Sequence, residues 1–176
     1  GLMTTSLEIA DLFLSDGDWL MVHGRRENKT YSADSEEVLK AVPLVVLVNS
    51  ETASAAEILA GALKDRGRAS IAGERTFGKG SVQALFNLSG GGAIRLTTAR
   101  FYLPSGVSLE RLPDTDQDDW GVSPNDSLSV EVPEEQRDAV AERIARFGDQ
   151  KSPIRAVDGD YRDDVLAKAI DSIRAK

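Results

Sequence analysis

The stretch Pro43-Leu-Val-Val-Leu-Val48 is a short apolar run rich in β-branched residues, the pattern of a strand that is buried on both faces. Residues Ser54–Arg66 follow with apolar side chains at helical spacing, and Gly67 is a typical C-terminal stop for a helix. Ala69-Ser-Ile-Ala72 is a second short apolar run. Together these segments predict a β-α-β unit with parallel strands and a right-handed crossover, and therefore an α/β fold.

Further helices and strands are predicted on both sides of this unit. Two segments alternate in polarity, and the glycine-rich stretch Ser89–Gly92 between them predicts a hairpin turn. Pro104–Asn125 is a long polar loop that contains Trp120, and we expect it to border a substrate groove. The alternating strands are Val82–Leu88 and Ala93–Tyr102; the other predicted strands are Trp19–His23, Thr30–Tyr31 and Leu128–Val132, and the other predicted helices are Leu2–Leu14, Glu134–Phe147 and Tyr161–Ala175.

The composition excludes several classes of function. The chain has 176 residues, of which 41% are hydrophobic, enough for one domain with its own core. Its net charge of −8 argues against nucleic-acid binding, which needs a basic surface. Without cysteine it has no disulfide, no zinc–thiolate site and no thiol catalysis. Its aspartate clusters match no metal-binding motif, so we expect no metal and no other cofactor. No apolar run reaches the roughly 18 residues of a membrane-spanning helix.

Ser54 has two interpretations at the predicted start of its helix. Ser54-Ala-Ala-Glu57 is a capping box, in which the serine caps the helix and the glutamate reaches back to it. Capping is the more typical role of such a serine taken by itself. The alternative is a nucleophile, because free amides and the positive end of the helix dipole stabilise an oxyanion there. In that case the amide of Ala55 is one oxyanion donor.

Lys79 has three interpretations. Gly73-Glu-Arg-Thr-Phe-Gly-Lys-Gly80 nearly spells a phosphate-binding loop, but Gly80 stands where the magnesium-binding hydroxyl belongs, and a strand pattern follows where a helix is needed. A surface lysine in a turn is the second interpretation. In the third, Lys79 is the general base for Ser54, with desolvation beside Phe77 favouring the neutral amine.

Two further residues bear on the choice of base. Gln83 follows Lys79 by four positions and is suited to hold its amine by a hydrogen bond without adding charge. His23 is the only histidine of the chain and the only competing base, but it has no marked acidic partner and a structural or surface role is more typical. A lysine base is the remaining route to an activated serine.

These residues together resemble the C-terminal processing peptidases, or tail-specific proteases, which are serine peptidases of family S41 that use a serine–lysine pair. The spacing between the serine and the lysine also agrees with that family. The matching segments are Val45–Asn49 with Ser54–Glu57, Gly73–Gln83, Ile94–Gly106 and Trp120–Pro124, and the last predicted helix is similar to the closing segment of the family.

The resemblance implies a fold and a set of roles. The fold is an α/β core of the ClpP/crotonase type with β-α-β units, a β-hairpin and C-terminal helices. The substrates implied are unfolded or extended C-terminal tails of proteins, with no nucleotide and no nucleic acid, in an extracytoplasmic compartment such as the periplasm or cell envelope; the oligomeric state is left open. The implied roles are nucleophile for Ser54, general base for Lys79, orienting residue for Gln83 and supporting group for Glu57.

The resemblance also implies that part of the site lies upstream. Gly1-Leu2-Met3 is similar to the end of the glycine-rich segment whose backbone supplies the second oxyanion donor in this family. We interpret residues 1–132 as a partial catalytic core that lacks the N-terminal part and the PDZ domain, and residues 133–176 as a helical segment packed on it. On this interpretation the isolated chain has little or no activity.

Two other functional classes stay open from the sequence. One is a non-catalytic peptide-binding module on the same fold, in which Ser54 is only a cap. The other is a nucleotide-binding protein, which the departures from the phosphate-binding loop disfavour.

Overall fold

The computed structural model describes residues 2–26, 28–33, 39, 42–113, 120–148 and 163–175. In chain order the helices and strands are α1 (Met3–Asp11), β1 (Asp18–Gly24), β2 (Asn28–Ser32), β3 (Val45–Val48), α2 (Ala55–Asp65), β4 (Ser70–Gly73), β5 (Ser81–Asn87), β6 (Ala93–Tyr102), a 3-10 turn (Asp126–Leu128), α3 (Glu134–Gly148) and α4 (Asp164–Arg174).

The predicted β-α-β unit is confirmed by β3, α2 and β4. β3 and β4 pair in parallel, with Val45 opposite Ser70 and Val48 opposite Gly73. Helix α2 between them buries Ile58, among other residues. The prediction that β3 is buried on both faces is wrong, because Leu47 is 44% exposed. Within the described residues β3 has one partner strand, so one of its edges and part of one face are uncovered.

A four-stranded antiparallel sheet, in the order β2-β1-β6-β5, stands beside the parallel pair in the described part of the chain. The predicted hairpin is confirmed, because β5 and β6 pair from Ser81 opposite Arg100 to Asn87 opposite Ala93. Two backbone hydrogen bonds hold the glycine-rich turn. The Leu88 amide donates to the Gly92 carbonyl, and the Gly91 amide donates to the Leu88 carbonyl. Strand β5 begins two residues after Lys79, so the sheet edge starts next to the lysine loop.

The hydrophobic core lies between α1, α2 and the sheet strands. Leu20 on β1, Ile58 on α2 and Ile71 on β4 are completely or almost completely inaccessible to solvent, and Ala10 of α1 packs into the same cluster. Burying a side chain of this size stabilises the fold by about 2 kcal/mol. Because most residues of α2 are buried, including Ala55 and Glu57 of its first turn, its N-terminus is fixed relative to the core.

The C-terminal part differs from the sequence prediction at two places. The predicted strand Leu128–Val132 is wrong: a 3-10 turn ends at Leu128, and only Ser129 forms a bridge, with Gly73. The following Pro133 has no amide to extend such pairing. Helix α4 begins at Asp164, and Asp163, which the predicted helix includes, is its cap and accepts the Leu166 amide at 2.9 Å. The predicted start at Tyr161 lies outside the described residues. No described helix is long and apolar enough to cross a bilayer.

Candidate active site

Ser54 is the one non-glycine residue with a positive φ angle in the described part of the chain. It precedes α2 directly and has φ 58° and ψ −121°. An ordinary N-cap residue has an extended backbone, so the capping interpretation does not explain this conformation. Holding a serine there costs of the order of 1–3 kcal/mol, and residues under such strain concentrate at functional sites. The angle therefore favours a functional role for Ser54.

Glu57 supplies the interaction that maintains this conformation. It belongs to the first turn of α2 and is 0% exposed. Its Oε1 atom accepts hydrogen bonds from Thr76 Oγ1 at 2.5 Å and from the Gly78 amide at 2.8 Å. Its Oε2 atom accepts from the Ser54 amide at 2.9 Å and from the Lys79 amide at 2.8 Å. Four donors and the helix N-terminus offset the cost of burying a carboxylate.

The shared Oε2 atom brings together the two residues that the sequence singles out. The Ser54 and Lys79 amides both donate to this one oxygen, so their nitrogen atoms lie at most about 6 Å apart. Residues 25 positions apart in the chain are thus joined through one buried side chain. The family resemblance implies a supporting role for Glu57; the structure shows that Glu57 connects the start of α2 to the lysine loop.

The side chain of Lys79 is half-buried, and its amine donates a hydrogen bond to Ser81 Oγ. Gln83 lies further along β5, paired with Thr97, and its side chain is exposed. Within the described residues the amine forms no hydrogen bond with Gln83 and no ion pair with a carboxylate. Phe77, beside which the sequence predicts a desolvated lysine, is itself 55% exposed and lines the same cavity as Lys79.

A cavity of about 390 Å³ opens beside Lys79. The long polar loop predicted from the sequence to border a groove does contribute to it, and Ser54 is not part of its wall. Arg75 and Arg111 each place a guanidinium over the Trp120 ring, at 5.1 and 4.9 Å from its centroid. The cavity is lined by the segment Arg75–Lys79 and by Ser50, Glu110, Arg111 and Trp120.

The two expected oxyanion donors have different outcomes. Ala55 is the first residue of α2 and is buried, and its amide has no hydrogen-bond acceptor among the described residues. Such an amide is available to a ligand at the start of a helix. Gly1 lies outside the described residues.

Thr76 links Glu57 to the segment that follows Trp120. Its hydroxyl donates to Glu57 and accepts the Val122 amide at 2.9 Å. Gly121 packs against that hydroxyl so closely that a Cβ atom there would lie 2.9 Å from it. Sequence reasoning missed Thr76 and Ser81, because each is an ordinary strand or loop residue until its partner is known.

Lys64 fastens the same downstream segment to α2. Its amine donates to the Ser123 carbonyl at 2.8 Å. Desolvation by burial lowers the pKa of Lys64, with nearby Arg75 acting in the same direction, while Asp65 and Asp126 oppose the shift. Because this amine is committed to a backbone carbonyl outside the cavity wall, its role is to hold the segment in place.

His23 lies on the exposed face of β1 and stacks on Tyr102 with the ring centroids 4.7 Å apart. It is not part of the cavity wall, which agrees with a surface role. The described residues also contain no cluster of three side chains able to hold a metal ion.

Similarity to known proteins identifies the family of this chain. Residues 1–125 match the sequence profile of peptidase family S41. The chain belongs to this family. A chloroplastic C-terminal processing peptidase of Tetradesmus obliquus is 44% identical over 135 residues, covering 75% of this chain and 27% of the relative. The carboxy-terminal-processing protease of Bartonella bacilliformis is 38% identical over 136 residues, covering 76% of this chain and 30% of the relative.

Solved structures of the family confirm the α/β fold. The photosystem II D1 C-terminal processing protease superposes with a TM-score of 0.64 at 41% identity, over 74% of this chain and 32% of that structure. A peptidase structure from Parabacteroides merdae, with a TM-score of 0.60 and 16% identity over 82% of this chain and 47% of that one, shares the fold. The S41 chain described here thus spans about 30% of the length of the curated relatives it matches.

Proposed function

We propose that this chain carries the nucleophile and the general base of a peptidase that cleaves proteins near their C-termini. The observation that supports this most directly is the shared Glu57 oxygen, which joins strained Ser54 to the backbone of Lys79. A cap without another function needs neither the strain nor the link to a distant lysine. The C-terminal processing named for the relatives suggests a protein substrate for this chain as well.

The proposed reaction is acyl transfer in two steps. Lys79 acts as general base: its amine takes the proton of the Ser54 hydroxyl as the Ser54 oxygen attacks a peptide carbonyl carbon. The carbonyl oxygen becomes an oxyanion that the free Ala55 amide stabilises. The Lys79 ammonium then gives its proton to the leaving amine as the peptide bond breaks. Water, deprotonated by the same lysine, hydrolyses the ester and regenerates the serine.

Two further roles belong to this proposal. Gln83 orients the Lys79 amine once substrate is bound, which requires that amine to leave Ser81. The backbone at Gly1 supplies the second oxyanion donor. Both roles rest on the family resemblance.

The substrate binds as an extended strand. β5 is an end strand of the described sheet and begins two residues after Lys79, so its outer edge offers backbone donors and acceptors beside the site. A chain that pairs with this edge must be unfolded there, which suits a flexible C-terminal tail. We place the activity outside the cytoplasm on the basis of the family.

The first test is to remove each member of the pair in the full-length protein. Ser54→Ala and Lys79→Ala should each lower kcat/KM on a tail peptide at least about 1000-fold, because neither step proceeds without them. Labelling of Ser54 by a serine-reactive phosphonate should be lost in Ser54→Ala and slowed in Lys79→Ala.

Matched controls separate chemistry from folding. Ser105→Ala removes an exposed turn hydroxyl, and Lys168→Ala removes an exposed helix amine; both should retain wild-type activity. Substantial cleavage by Lys79→Ala would refute the proposed pair. Binding of tail peptides without any Ser54-dependent cleavage would instead support the peptide-binding module.

A further inference from the structure

The described residues around the cavity beside Lys79 carry a net positive charge, although the whole chain has a net charge of −8. They contribute three basic side chains, Arg75, Lys79 and Arg111, and one acidic side chain, Glu110. One oxygen of the Glu110 carboxylate, Oε2, accepts the Gly80 amide at 2.7 Å, and the three cations outnumber this single anion among the described wall residues. The cavity is therefore suited to an anionic group.

The guanidinium of Arg111 has hydrogen-bond donors that are available to a ligand. It lies over the Trp120 ring at 4.9 Å from the centroid and makes no ion pair with any described residue. The contact with the ring restricts the guanidinium and leaves N–H groups available to a ligand. Because a guanidinium held over a ring has already lost part of its freedom, it loses less when it binds a carboxylate through two hydrogen bonds.

The backbone fixes Arg111 next to the lysine loop. Its amide donates to the Gly78 carbonyl at 3.1 Å. Gly78 packs so closely that an added Cβ atom would lie 2.7 Å from the Arg111 Cβ and 2.7 Å from Trp120 Cε3. Arg111 and Trp120 are thus held against Gly78, the residue that precedes Lys79 in the cavity wall.

Arg75 supports the aromatic platform. Its Nη1 atom donates to the Trp120 carbonyl at 2.8 Å, and its guanidinium also lies over the ring. It holds Trp120 in place and adds charge to the wall, while Arg111 provides the contact to the ligand.

We propose that Arg111, whose guanidinium lies over the Trp120 ring, forms a subsite for a carboxylate of the substrate beside the reacting bond. The inference rests on the proposed peptidase function and names a specificity for it. The carboxylate belongs either to an aspartate or glutamate side chain near the scissile bond or to the C-terminus of the substrate. The cavity, at about 390 Å³, is large enough for a single side chain or a short C-terminal residue.

Two sets of peptides distinguish the sources of the carboxylate. The first set exchanges glutamate for glutamine at each position on both sides of the cleaved bond. The second compares a free C-terminus with an amidated one. The full-length wild-type protein should cleave one acidic member faster than its neutral partner by about 10-fold to 100-fold, as expected for a charge-assisted pair. A preference for glutamate identifies a side-chain subsite, and a preference for the free C-terminus identifies a terminal one.

Substitution of Arg111 tests its part in that preference. Arg111→Gln should abolish it by slowing cleavage of the acidic peptide while leaving the neutral one within about 2-fold. Arg111→Lys should retain part of it, because a point charge replaces the two-donor fork. Arg174→Gln removes the same charge from α4, away from the cavity wall, and should leave the preference unchanged.

A binding measurement keeps this inference separate from the proposed reaction. Fluorescence anisotropy with labelled peptides and Ser54→Ala should show the same acidic preference, and Ser54→Ala combined with Arg111→Gln should lose it. Absence of any carboxylate preference in both assays, or a preference that persists in Arg111→Gln, would overturn the subsite. Loss of Ser54-dependent cleavage together with retained, Arg111-dependent binding would refute the proposed function and preserve the subsite.

Discussion

Two carboxylates on neighbouring parts of this molecule hold segments together in opposite ways. Glu57 is completely buried and accepts four hydrogen bonds from uncharged donors. Glu74, just after β4, forms a two-bond ion pair with Arg137 of α3 at 2.9 and 3.1 Å. The Glu74 side chain is 13% exposed and that of Arg137 is 44% exposed, so water reaches this pair.

The difference distinguishes the centre of the site, at Glu57, from what we call its rim, the ion pair of Glu74 and Arg137. Water cannot replace Glu57 as an acceptor, so every donor that faces it would be left unsatisfied in its absence. At the rim, solvent and salt compete with the ion pair, and its net contribution is small. The centre is therefore where the fold and the chemistry depend on the same side chain.

The largest effect should come from Glu57→Gln. The substitution keeps the size of the side chain but turns an amide group toward donors, so at least two of them lose their acceptor. We expect a loss of about 2–4 kcal/mol in the free energy of unfolding and a loss of at least about 100-fold in kcat, with KM changed little, because Ser54 and Lys79 are displaced relative to each other. Urea unfolding and steady-state kinetics measure the two.

Glu74→Gln is the matched control for that substitution. It makes the same chemical change at the rim and should cost under about 1 kcal/mol, with kcat within about 3-fold of wild type. Equal losses in both variants would contradict the distinction between centre and rim. A Glu57→Gln protein that is destabilised but fully active would show that Glu57 only stabilises the fold.

An intermediate effect is expected from relieving the strain at Ser54. Ser54→Gly and Ser54→Ala both remove the hydroxyl and should both be inactive, but glycine adopts a φ of 58° without cost while alanine does not. Ser54→Gly should therefore be more stable than Ser54→Ala by about 1–2 kcal/mol in thermal unfolding. At Ser105, whose φ is negative, the same pair should favour alanine. If alanine is the more stable variant at both positions, Ser54 is not strained.

The sequence predicts those parts of the molecule that depend on local patterns. The periodicity of Ser54–Arg66 and the two flanking apolar runs are sufficient for the β-α-β unit, and the polarity alternation around Ser89–Gly92 is sufficient for the hairpin. The predictions for Leu47 and for Leu128–Val132 are wrong, because solvent exposure and strand pairing depend on which neighbouring segments are present. A β-rich pattern at Leu128–Val132 finds only Gly73 as a partner and forms one bridge.

The candidate site was predictable in its residue types but not in its connections. The capping pattern Ser54–Glu57 is visible in the sequence, whereas the bonds from Glu57 to Thr76, Gly78 and Lys79 require the loop to fold back on α2. The positive φ of Ser54 is likewise imposed from outside, since serine has no intrinsic preference for it. Local sequence patterns identify the candidate side chains, and tertiary contacts determine the role of each.

The smallest effect should come from Arg137→Gln at the rim, which leaves Glu74 without its fork and also removes the bond from Arg137 to Ser50 Oγ at 3.0 Å. We expect a loss of about 0.5 kcal/mol at low salt and an almost unchanged kcat/KM. The difference from wild type should shrink further in 1 M NaCl, where charges are screened beyond about 3 Å, whereas the deficit of Glu57→Gln should persist because its partners are uncharged and buried. Urea unfolding of both variants at the two salt concentrations measures this contrast, with Arg174→Gln as the charge control. A salt-independent loss of several kcal/mol in Arg137→Gln would place the rim pair among the interactions on which the site depends.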